Sequence, residues 1–126
     1  MDEESTQDSA PKILSIADIL AADDLEEKTL DLPAWGGSIR IRALARGDIK
    51  KAYRLGTDKK SGDIDVDAVE RFLVCWASVE PKISPADFDK LAAKNAGPVA
   101  RIIDAVLGLS GVDKAALERA RESFRD

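Results

Sequence analysis

Few residues in this 126-residue chain could do chemistry, and their types are narrow. There is no histidine and one cysteine, which excludes disulfides, Cys/His zinc sites and catalytic Cys/His or Ser/His/Asp sets. Cys75 sits inside the apolar run Phe72-Leu73-Val74-Cys75-Trp76-Ala77 and reads as a packed small side chain rather than a nucleophile. Carboxylates remain, and paired carboxylates would offer acid/base chemistry. Yet Asp18, Asp48, Asp87 and Asp113 all fall at helix starts, where capping employs them. Asp58, Gly62, Asp63, Asp65 and Glu70 invite a calcium-loop reading, but no register works. Counting from Asp58 puts Lys60 third and Gly62 fifth; placing Gly62 sixth puts Thr57 first and Ala68 where the bidentate acid belongs. Trp35-Gly36-Gly37 lies between strands rather than before a helix, so it is no phosphate loop. The expectation is no catalytic residue, no metal and no cofactor: a protein that is not an enzyme and works through its surfaces.

The element that must organise such a surface protein runs from Asp65 to Glu80. Val66, Val69, Leu73 and Trp76 recur at helical steps, and Phe72, Cys75 and Val79 widen that face. A helix this apolar needs covering. Ser15, with Asp18 three residues on, opens a short first helix whose Ile16, Ile19 and Leu20 face one way, with Leu14 stapled on Ile19. Alternation in Lys28–Leu32 and Ser38–Leu44 predicts a hairpin turned by Pro33–Gly37. Its buried face is Leu30, Leu32, Ile39 and Ile41; Thr29, Asp31, Arg40 and Arg42 share the other and can pair charges. Asp48 is placed as an N-cap, with Ile49, Ala52 and Tyr53 following at helical spacing; the Arg46-Gly47-Asp48 tripeptide is attributed to chance. Ser84, Pro85 and Asp87 start another helix, Asn95-Ala96-Gly97 stops it, and Pro98 begins the next, with Val99, Ile102, Ile103, Val106 and Leu107 on one face. Ser110 and Asp113 cap a last helix carrying Leu117, Ala120 and Phe124.

The fold expected is mainly α (α+β): a compact helical domain of five to six helices over residues 13–126, with one β-hairpin at about 28–44. Residues 1–12 read as a disordered acidic tail. Charge is uneven. Residues 1–31 hold ten acids against two bases and the remainder fourteen against seventeen, within a net charge of −5. The acidic front and the lack of a dense basic run argue against nucleic acid. No apolar segment approaches membrane-spanning length and the N-terminus lacks a signal peptide's basic start, so no membrane partner is expected and the location is cytoplasmic.

The order of segments carries a resemblance. Ile16-Ala17-Asp18-Ile19-Leu20 and Asp23–Lys28 lead into the hairpin Leu32-Pro33-Ala34-Trp35-Gly36-Gly37-Ser38-Ile39-Arg40-Ile41-Arg42. Ser84-Pro85-Ala86-Asp87-Phe88 and Gly97-Pro98-Val99-Ala100-Arg101-Ile102 follow. From Leu14 to Asp126 this resembles the tail assembly chaperones of long-tailed bacteriophages and prophage elements. The resemblance implies a small, mainly helical protein absent from the finished virion. It would bind the tape measure protein, keep its apolar helices from aggregating and help the tail tube assemble around it. Further partners it implies are the major tail protein and a form of the chain extended by ribosomal frameshift, for whose shorter counterpart the charged ending Glu122–Asp126 is suited. Homo-oligomerisation stays open. The family transfers no functional residue.

A chaperone of unassembled chains needs exposed apolar surface on a charged scaffold. The candidates are Trp35, Ile102, Ile103, Val106, Leu107, Leu117 and Phe124. Two readings stand for each: Trp35 either folds back over the hairpin or anchors a partner, and Ile102, Ile103 and Val106 are either surface or ordinary core. Two other functions remain: a structural tail adaptor or completion protein, and a nucleic-acid-binding regulator using Arg40, Arg42, Arg46, Lys50 and Lys51.

Overall fold

The computed structural model describes residues 12–112. These residues form five helices and a three-stranded antiparallel sheet, an α+β fold with the hairpin in the N-terminal half.

Helix α1 (Ile16–Ala21) opens on the expected capping box, with Asp18 N–H donating to Ser15 Oγ and Ser15 N–H to Asp18 Oδ2, both at 3.1 Å. Strands β1 (Glu27–Leu32) and β2 (Gly37–Arg42) pair with Leu30 opposite Ile39 and Thr29 opposite Arg40. The turn is a single 3-10 turn over Pro33–Trp35, closed by Gly36 at φ 77°, where a side chain would be strained. As the alternation requires, Leu30, Leu32 and Ile41 are buried and Ile39 half-buried. On the outer face the pairings differ from expectation: Ser38 Oγ donates to Asp31 Oδ1 at 2.8 Å, and Arg40 reaches Glu80 at 3.7 Å.

Glu80 belongs to a strand that periodicity did not predict. The central helix α3 is Val66–Ala77, capped by Asp65 accepting from Ala68 N–H at 3.1 Å. Residues Ser78–Glu80 then leave it as β3, which pairs with β2. The switch is fastened by Ser78, which is 1% exposed. Its hydroxyl donates to the Cys75 carbonyl and accepts from Ile83 N–H, both at 2.9 Å, satisfying a buried polar group at the turn. The apolar face is also rotated from the one expected. Val69, Leu73, Val74 and Ala77 are buried, Trp76 is half-buried, and Val66 is exposed.

Helix α2 (Arg46–Leu55) starts at Ala45, not Asp48. Asp48 sits one turn in and reaches back to accept from Ala45 N–H at 3.2 Å, doing the work of half a capping box. Its end crosses α3 closely: a Cβ on Gly56 would stand 2.6 Å from Val69 Cγ2. Helix α4 (Pro85–Lys90) keeps the predicted Ser84/Asp87 box and runs into a 3-10 turn over Leu91–Ala93. Asn95 is the N-cap of α5 (Ala96–Leu109) rather than a stop, accepting from Gly97 N–H at 2.8 Å, so α5 begins two residues before Pro98.

Ser110 is the C-cap of α5. Its hydroxyl donates to the Val106 carbonyl at 2.7 Å and accepts from Leu44 N–H at 2.8 Å, tying the end of α5 to the chain leaving β2. The predicted last helix, with Leu117 and Phe124, lies outside the described residues, as does most of the N-terminal tail. One core joins the elements: the inner face of the sheet, Ile49, Ala52 and Tyr53 of α2, the buried ridge of α3, and Ile102, Val106 and Leu107 of α5.

Candidate partner-binding surface

Helix α1 and its flanks form an arm outside that core. Its sequence dictates a helix through the Ser15/Asp18 box, and the Ser15 N–H and hydroxyl hold the Asp18 carboxyl below its usual range. The apolar stripe Ile16, Ile19 and Leu20 forms as predicted, but it faces water: the three are 71%, 51% and 79% exposed. Ile13 and Leu14 are exposed too, and Leu25 at the root of the arm is only partly covered. No residue of α1 is buried. Among the described residues nothing buries this apolar face, which makes it the candidate interaction surface.

The sequence-predicted site residues divide sharply. Ile102, Val106 and Leu107 are 1%, 0% and 7% exposed, in the core where α5 meets the sheet and α3. In this fold they are packing residues, closed to a partner. Ile103 is half-buried and opens on a recess of about 480 Å³ between α3, α4 and α5, where Phe88, Leu91 and Val99 also line the wall. Trp35 stands 38% exposed on the 3-10 turn at the hairpin tip, between its two predicted fates. Leu117 and Phe124 lie outside the described residues.

The arm was missed because periodicity shows that a helix has an apolar face, not what covers it. One signal was present: Asp23 and Asp24 follow the stripe directly, so α1 ends in uncompensated acids rather than continuing into the domain.

The chemical inventory is sparse. Asp18, Asp48, Asp58, Asp65 and Asp87 each accept backbone N–H bonds and serve local structure. Burial raises the pKa of the Cys75 thiol, favouring the protonated form. Glu70, on the rim of the α3–α5 recess, is pushed up by burial and then by the charges of Asp67 and Asp104. Among the described residues no group of three His, Cys, Asp or Glu side chains could hold a metal ion, and no helix is long and apolar enough to cross a membrane. No protein-family model, curated protein or solved structure matches the chain.

Proposed function

We propose that the protein is a phage tail assembly chaperone. It binds apolar helical stretches of the tape measure protein, keeps them soluble, and assists assembly of the tail tube around them in the bacterial cytoplasm. The observation that carries this reading is the arm: Ile16, Ile19 and Leu20 are at least half exposed on a capped helix, with Ile13 exposed just before it, joined to a domain whose own core is closed. Burying such a face against a partner helix is driven by the area removed from water. The resemblance in segment order to the tail assembly chaperones supports the tape measure protein as that partner.

The test is dilution of the denatured tape measure protein into buffer with and without the purified full chain, followed by light scattering. Stoichiometric suppression of scattering is expected; undiminished scattering refutes the reading. Immunoblotting of purified particles separates it from a structural tail adaptor, since the chaperone is absent from the mature virion.

A further inference from the structure

Two surfaces lack a counterpart among the described residues, and their charges are opposite. One is the arm, where Asp23, Asp24 and Glu26 are exposed beside the apolar residues Ile16, Ile19 and Leu20. The other is a recess of about 360 Å³ where β2, α2, α3 and the segment after β3 converge, lined by Arg42, Asp48, Lys51, Cys75, Trp76 and Lys82. Lys51 Nζ stands 5.7 Å from the Trp76 ring centroid, a cation–π contact that positions its ammonium. Trp76, the apolar wall of the recess, in turn stacks on Phe72 beside it with centroids 5.3 Å apart, and both residues are half-buried.

The three cations outnumber the one carboxylate that lines the recess, Asp48. The ion pairs among the described residues are Lys12–Asp18, Arg40–Glu80 and Arg71–Asp89, and none involves Arg42, Lys51 or Lys82. The Asp48 carboxylate is engaged with Ala45 N–H, and Glu27, opposite Arg42 in the ladder, forms no ion pair with it. Nor do Asp23, Asp24 and Glu26 take part in any of those pairs.

We propose that the recess receives the arm of a second copy of this chain, Asp23, Asp24 and Glu26 meeting Arg42, Lys51 and Lys82 while the apolar stripe lies against Trp76 and Phe72. Charge complementarity selects this occupant and this seat. The arm from Lys12 to Glu27 carries five acids and one base; the α3–α5 recess, where Asp67, Glu70 and Asp89 outnumber Arg71 and Lys94, offers it no net attraction, whereas the Trp76 recess, with Arg42, Lys51 and Lys82 against Asp48, attracts it. The seat is on another copy because the arm's root is tied to the end of its own β2, the Glu26 carbonyl accepting from Ala43 N–H at 2.7 Å, and in its own copy the stripe of α1 stands exposed. Reciprocal exchange of the two arms closes a two-fold dimer. This inference concerns the protein alone and does not depend on the chaperone reading.

Sedimentation equilibrium of the full chain across a wide concentration range tests it. The wild type is expected to reach a dimer, weakened by salt because the contact is ionic. Lys51→Glu with Lys82→Glu, or Asp23→Lys with Asp24→Lys, is expected to weaken the dimer about 100-fold, as reversal of several facing charges implies. Combining both pairs restores it. All four sites are exposed, so circular dichroism of each variant should match the wild type. A wild type that stays monomeric overturns the proposal, as does a dimer indifferent to either reversal. If the recess reversal dissociates the dimer and the arm reversal does not, another acidic segment is the occupant and the arm assignment falls.

Discussion

Replacing Ile16, Ile19 and Leu20 together by serine should separate binding from stability. With exposures of 71%, 51% and 79%, the three side chains leave the equivalent of about two complete aliphatic side chains uncovered. Full burial of an Ile or Leu is worth about 1.5–3 kcal/mol, so a partner covering the stripe gains on the order of 3–6 kcal/mol from it. Even the lower figure corresponds to roughly 100-fold in affinity. The fold loses almost nothing, because no residue of α1 is buried. Two assays decide: titration of a labelled apolar tape measure segment, and thermal unfolding, each run beside Ile102→Ala as a control. Ile102 is 1% exposed, and its truncation should cost about 2–5 kcal/mol of stability. The triple variant should lose about 100-fold in affinity while its melting temperature stays close to wild type. Unchanged affinity, or a melting drop as large as that of Ile102→Ala, refutes the assignment of the arm as an unpacked binding face.

Gly56→Ala should destabilise by about 1–3 kcal/mol in urea unfolding, because the added Cβ would meet Val69 Cγ2 at 2.6 Å; a neutral result would mean α2 and α3 cross less tightly. Ser110→Ala removes the acceptor of the Leu44 N–H, whose residue is 3% exposed, and should cost about 1–3 kcal/mol by the same assay; no measurable loss would deny that this bond ties α5 to the hairpin. Glu70 gives a pH signature. Burial and the neighbouring Asp67 and Asp104 raise its folded pKa above the ordinary glutamate value, so the fold binds its proton more tightly, and stability declines as pH rises from the ordinary value through the raised one. Glu70→Gln should therefore raise the melting temperature by a few degrees at neutral pH, and the gain should vanish below about pH 4; a lower melting temperature at pH 7 contradicts the sign. Partner binding and dimerisation draw on the same arm, so a saturating apolar tape measure segment should convert the dimer to a one-to-one complex in light scattering, and a ternary complex would show that the two uses are independent.

Local signals were the most legible. The Ser15/Asp18 and Ser84/Asp87 boxes form as their spacing predicts, because a serine and an acid three residues apart satisfy each other's backbone without help from the rest of the chain. The hairpin was equally readable, since a period-two pattern fixes which face is buried. Strand β3 was not. Ser78-Val79-Glu80 continues an apolar helical run, and only tertiary bonds show that it leaves: Ser78 to Cys75 and Ile83, and pairing with β2. Asp48 and Asn95 show the same limit on a smaller scale, each a capping residue assigned to the wrong position by one turn or to the wrong helix.

The candidate surface was the least legible, for a related reason. Leu20 and Ile102 look alike in sequence, each an apolar residue on an amphipathic helix, yet one is 79% exposed and the other 1%. Burial depends on which elements meet, and the recess formed by Arg42, Lys51, Trp76 and Lys82 is likewise drawn from separate parts of the chain.

Co-expression of the full chain with the tape measure protein bears most directly on the central claim. The account predicts that the tape measure protein, insoluble alone, moves to the soluble fraction and co-purifies with the wild-type chain but not with the Ile16, Ile19 and Leu20 triple-serine variant. A tape measure protein that stays insoluble beside well-expressed wild type, or that is rescued equally by the variant, contradicts it.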